Sequence, residues 1–206
     1  MLASLRFERG PPMSGFSRHR RSGRIFATFS GLEADLLRSL ASQLVELLRN
    51  EAAIPRDSSD PLEAMLSFDG PTTEPDDPVL ARLFPTAYLE DDEAAAEFRR
   101  FTEGALRDSK AAGAAAVIDA LEEAGLPAEP MHDQKLVIDV ELDPATAVIW
   151  LKTFTDLRLA LATRLEVEQD DDDYWESLPD DDPRAQAHDI YQWIGALQET
   201  LVDAMR

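Results

Sequence analysis

The 206-residue chain contains no cysteine. That removes disulfides, thiolate metal sites, cysteine nucleophiles and any thiol switch within it, and it suits a reducing compartment. Histidine is nearly as scarce, with only His19, His132 and His188. No two of them have the i, i+4 spacing of a helical zinc site, so each reads as solvated or locally bonded. No apolar run approaches the ~20 residues a bilayer-spanning helix needs. Arg6, Glu8 and Arg9 interrupt the stretch where a secretory signal would place its apolar core. A cytoplasmic location without membrane contact is therefore expected. Met13 offers a second translation start beside Met1.

The signatures of common chemistry are missing too. There is no Gly-x-Ser-x-Gly nucleophile turn, no phosphate-cradling loop and no Gly-x-Gly-x-x-Gly. Carboxylates are so abundant that paired acids carry little information. The chain does not read as an enzyme, and no catalytic residue, metal or cofactor is expected.

Acid is present in excess. The net charge is −21, but it is unevenly spread. Residues 1–24 hold six arginines against Glu8, a net of +5, whereas residues 25–206 hold 14 basic against 40 acidic residues, a net of −26. An acidic body repels nucleic acid and anionic membranes, which leaves only the leading arm to contact phosphate.

Two runs favour strands. Arg24 to Phe29 puts Ile25, Ala27 and Phe29 on one face, and Lys135 to Leu142 alternates likewise. A two-stranded antiparallel ribbon of 24–29 with 135–142 is expected, laid on helices because a lone ribbon is marginal in water. Everything else periodic is helical. Ser30 and Glu33 fit a capping box opening a helix to about Asn50. Asp60-Pro61, Asp77-Pro78, Asp143-Pro144 and Asp182-Pro183 each join a capping acid to a proline that needs no N–H partner. They predict helices near 61–67, 78–84, 144–167 and 183–205. A further helix from Asp92 to Ala124 carries an alanine-rich stretch, Lys110 to Ala116, that implies close helix contact. Gly125 and Pro127 end it. The fold class is thus mainly α: a compact helical bundle with a small ribbon. A flexible basic arm, 1–23, precedes one acidic helical domain, 24–206, with a polar linker at 51–77 and an acidic loop at 168–182.

Three features carry candidate function. The run Asp170-Asp171-Asp172-Asp173 lacks the alternating ligands, central glycine and distal glutamate of a calcium loop, so it reads as a solvated loop. Tyr174 and Trp175 follow it. Two aromatics beside Asp171, Asp172 and Asp173 either pin the loop to the body or dock on a basic, apolar-lined protein partner. In the arm, Arg18, Arg20, Arg21 and Arg24 form a candidate DNA contact whose affinity would collapse with salt. Arg99, Arg100, Arg107 and Lys110, with Asp156, Arg158 and Arg164, read as structural ion pairs. Long amphipathic helices are also compatible with a two-fold homodimer.

Several longer segments carry a resemblance. They are Asp76 to Pro85 with Tyr88, Ala95 to Glu103, Asp156 to Leu165, and Tyr191 to Glu199. In this order they resemble the actinobacterial oxidative stress regulator (AosR) family, formerly a domain-of-unknown-function family, over residues 16–205. The resemblance implies a non-enzymatic regulator of transcription in oxidative stress and sulfur metabolism, with a transcription factor or polymerase component as protein partner. It also implies thiol redox sensing in some members, for which this chain has no cysteine. It supplies no catalytic residues.

Overall fold

The computed structural model describes residues 15–50, 70–129, 136–179 and 181–206. The helix expected near 61–67, most of the 51–77 linker, His132 and Met13 lie outside these residues. Among the described residues, strands β1 (Phe16–Arg18), β2 (Ile25–Ser30) and β3 (Val137–Leu142) accompany six helices: α1 (Gly31–Asn50), α2 (Pro78–Leu83), α3 (Asp92–Glu123), α4 (Pro144–Leu165), α5 (Asp172–Glu176) and α6 (Pro183–Met205). The fold is mainly helical, as the sequence implies.

The ribbon forms, with Ile25 opposite Leu142 and Phe29 opposite Ile138. It also gains a third antiparallel strand, in the order β1-β2-β3. β1 and the turn after it occupy residues 16–22, inside the segment expected to be a flexible arm. The turn is closed by the His19 N–H to Arg24 O bond (2.8 Å) and the Gly23 N–H to His19 O bond (2.9 Å). Along β2, Ile25, Ala27 and Phe29 are buried and their neighbours are not. β3 alternates in the same way, burying Ile138, Val140 and Leu142. That period of two gives the sheet one inner face.

The inner face lies on Trp150 and Phe154 of α4. Phe16 meets Trp150 edge-on at 5.8 Å, and Phe29 stacks on Trp150 at 6.4 Å. The hydrophobic core continues through Leu37, Leu44 and Leu48 of α1, Val117 and Leu121 of α3, and Ile194, Leu197 and Leu201 of α6. The alanine-rich part of α3 does bring helices close. Ala111 and Ala114 are buried, and a Cβ on Gly113 would sit 3.2 Å from Thr153 Oγ1 of α4. α3 ends at Gly125, whose φ of +101° only glycine adopts readily.

The start signals act as chemistry requires. The Ser30 N–H donates to Glu33 Oε2 at 2.7 Å, and the Glu33 N–H returns to Ser30 Oγ at 3.3 Å. Asp77, Asp143 and Asp182 cap α2, α4 and α6, each with a proline behind it. All three carboxyls are held below the ordinary aspartate range. For Asp143 the main cause is the Thr146 N–H, and for Asp182 it is the Arg184 guanidinium. For Asp77, partial burial pushes up but is outweighed by Arg164 and the Val79 and Leu80 N–H groups. A carboxyl depressed in the folded state contributes stability above its unfolded value and loses it as pH falls through the folded one. Asp156 runs the other way: burial raises it against Lys110, so its ionisation costs stability at neutral pH and acid relieves that cost. Asparagine keeps the cap but not the charge. The triple change Asp77→Asn, Asp143→Asn and Asp182→Asn is expected to flatten the loss of urea midpoint as pH falls below about 5. An acid limb as steep as the parent's would refute this account of the caps.

Candidate functional site

The acidic loop is more ordered than a solvated run. Asp171 Oδ2 accepts the Glu168 N–H at 2.8 Å, which lowers the Asp171 carboxyl. The five-residue α5 follows. Its Trp175 is buried and stacks face to face on His188 of α6, with centroids 4.4 Å apart and planes at 3°. Trp175 is therefore the pin of the loop. Tyr174 is not. Its ring is about half exposed (46%), set edge-on to Trp175 at 5.1 Å, and its hydroxyl accepts from Arg184 Nη1 at 2.8 Å. Asp172 and Asp173 are exposed in the first turn.

Between this loop and the end of α4 lies an open cleft of about 590 Å³, lined by Arg164, Glu166, Glu168, Asp171, Tyr174 and Arg184 among others. Both arginines are already engaged, Arg164 with Asp77 at 2.6 Å and Arg184 with Asp182 at 2.8 Å. The acids thus set the sign of the cleft. Glu166 terminates α4 in the left-handed region at φ 56°, and Asp170 adopts φ 63°. Non-glycine residues seldom occupy that region, and such strain gathers at working surfaces.

The candidate DNA contact takes a different form from a tail. Arg18, Arg20 and Arg21 are exposed on the β1–β2 hairpin, whose turn is fixed by His19 Nδ1 and Ser22 Oγ at 3.0 Å. Arg24 is committed to Glu141 of β3 at 2.6 Å. The hairpin and the cleft lie apart. Phe16 is bonded to Thr200 of α6, twelve residues beyond His188, or roughly 18 Å along the helix.

A third feature is buried. Arg99, Glu103 and Arg107 stack at successive turns of α3. Arg99 Nη1 donates to one oxygen of Glu103 at 2.5 Å, and Arg107 Nε donates to the other at 2.8 Å. Arg107 also lies over the Phe84 ring at 4.8 Å. Beside it, Lys110 crosses to Asp156 of α4 at 2.6 Å. The sequence marks the cations but not Glu103, which holds two of them. Arg158 forms no ion pair among the described residues and instead donates to Gln198 Oε1 and the Tyr191 hydroxyl of α6. These contacts brace the bundle, although the buried Arg158 Nε finds no hydrogen-bond partner among the described residues. Among the described residues no three His, Asp or Glu side chains gather as a metal site. No described helix is long and apolar enough to cross a membrane.

Residues 13–205 match the model of a family described as a domain of unknown function, DUF2017. The chain belongs to the DUF2017 family. Relatives within reach of sequence comparison carry a functional name. A Mycobacterium tuberculosis (strain H37Rv) protein named oxidative stress regulator AosR is 32% identical over 187 residues, covering 82% of this chain and 77% of that protein. The Mycobacterium bovis protein of the same name matches equally. A Mycobacterium leprae protein, also named AosR, is 34% identical over 190 residues, covering 84% of this chain and 78% of its own. No solved structure matches. The family resemblance read from the sequence is thereby established, and the relatives that carry it are named as oxidative stress regulators.

Proposed function

We propose that the chain is a non-enzymatic regulator of transcription in the oxidative-stress and sulfur-metabolism response, acting through protein–protein contacts at the cleft beside α5. The observation that carries this reading is Tyr174. Its ring is held at the cleft by Arg184 and Trp175 yet remains half exposed, with Glu166, Glu168 and Asp171 around it. A preset aromatic among acids suits a transcription factor or polymerase component that presents basic and apolar side chains. The ring supplies affinity and the acids supply encounter rate. The relatives' names support regulation, and with no cysteine in the chain either a thiol sensor lies elsewhere or regulation proceeds without one. Immobilised parent protein is expected to retain a transcription-machinery protein from native lysate. The Tyr174→Ser/Asp172→Asn/Asp173→Asn variant is expected to bind that protein about tenfold or more weakly. Equal retention by both, or no retention at low salt, counts against the proposal.

A second reading puts DNA at the end of the β1–β2 hairpin, where Arg18 of the strand and Arg20 and Arg21 of the turn are exposed. On this reading, Arg18→Ala/Arg20→Ala/Arg21→Ala removes about three phosphate contacts. The slope of log affinity against log salt on operator-length duplex should then fall by roughly 3. An unchanged slope, or no binding by the parent, sinks it.

A further inference from the structure

The two edges of the sheet are not alike. The His19–Arg24 bond fixes which residues of β1 face β2, and by alternation the N–H and C=O groups of Phe16 and Arg18 point away from it. That edge is covered: the outward Phe16 N–H donates to Thr200 Oγ1 of α6 at 3.1 Å. On the other side, the Gly31 N–H to Leu136 O bond (2.7 Å) fixes the phase of β3. Residues 138, 140 and 142 face β2, so the backbone groups of Val137, Asp139 and Glu141 point outward. All three residues are exposed, and among the described residues no turn, loop or helix supplies a backbone partner to them.

We infer that the outer edge of β3 is a docking site for an extended strand of a partner protein carrying lysine or arginine at alternate positions. Three outward residues offer three N–H groups and three carbonyls, enough to add one short strand. Charge selects the occupant. On the solvent face β3 presents Asp139 and Glu141, which meet Thr28 of β2 (2.7 Å to Asp139) and Arg24 just before it (2.6 Å to Glu141). An incoming strand places its own solvent-face side chains beside the same two acids from the open side. Like charges across a pair are unfavourable and opposite charges favourable. A second copy pairing β3 with β3 would bring acids against acids, so the pattern rejects self-association and favours a basic strand. An unprotected edge invites pairing, and these two acids restrict it to complementary partners. This site is separate from the cleft and stands whether or not the cleft binds a protein.

The test uses the full chain and two ten-residue peptides, one alternating valine with lysine and one alternating valine with glutamate. The lysine peptide is expected to bind and to slow hydrogen exchange at the amides of Val137, Asp139 and Glu141. The glutamate peptide should do neither. In the charge reversal Asp139→Lys/Glu141→Lys the preference should invert by at least about tenfold. Asp139→Pro removes an outward N–H without breaking the ladder to β2 and should abolish binding. If that variant fails to fold, the reversal still decides. Tyr174→Ser should leave peptide binding unchanged, which separates this site from the cleft. Lysine-peptide binding that survives the reversal would show a merely acidic surface and overturn the proposal. So would unprotected amides, or a concentration-dependent dimer that protects them.

Discussion

Replacing Glu103 with alanine is expected to destabilise the protein by about 3–5 kcal/mol, more than any other single polar change in it. The urea midpoint should fall by roughly 2 M at ordinary slopes for a domain of this size. The reason is geometric. Glu103 is 2% exposed and gives one oxygen to Arg99 and the other to Arg107, each of them 7% exposed. Removing the carboxylate leaves two guanidinium groups in a poorly solvated place with their shared counterion gone. Removing all three charges is a different experiment. Arg99→Met/Glu103→Leu/Arg107→Met fills a similar volume without desolvated charge, and it should recover most of the loss seen with Glu103→Ala. If the triple variant is as unstable as the single one, the ladder stabilises by more than mutual neutralisation. If Glu103→Ala costs less than about 1 kcal/mol, water reaches the site and the burial argument fails.

Trp150→Ala is the second large effect, expected to cost about 3–5 kcal/mol. Trp150 is fully buried and is the ring on which the sheet rests, in contact with Phe16, Phe29 and Phe154. Its loss removes three aromatic pairings and opens a cavity between sheet and helix. Its indole N–H has no hydrogen-bond partner among the described residues. Trp150→Phe therefore forfeits volume but no hydrogen bond, and should cost about half as much or less. Equal costs for the two changes would mean that the indole N–H, and not the ring, is what matters at this position.

Local chemistry was legible in the sequence and distant chemistry was not. The starts of α1, α2, α4 and α6 follow from Ser30 with Glu33 and from three Asp-Pro pairs, because a cap is settled within four residues. β2 and β3 announce themselves by six-residue alternation. β1 does not: three residues, one of them Arg18, carry too little pattern, and the strand exists because Phe16 finds Trp150 and Thr200 far along the chain. α5 is hidden for a related reason. Five residues in an acidic run have no helical period to read, and the segment is placed by Trp175 stacking on His188. In the site, the sequence offered two roles for the loop aromatics, and the structure divides them, with Trp175 as anchor and Tyr174 exposed. It could not reveal that Arg24 is spent on Glu141, since that pair is joined only by sheet register.

The Phe16–Thr200 bond has a consequence for the order in which the chain becomes a fold. It joins residues 184 apart, and the pairing of β2 with β3 spans more than a hundred. During synthesis the hairpin emerges early but has neither its strand partner nor the α6 hydroxyl that covers its edge. Such late, long-range closure slows folding and leaves the early product exposed. The apolar face of the hairpin must wait for α4, and its outer edge stays uncovered longer still, until α6 has left the ribosome.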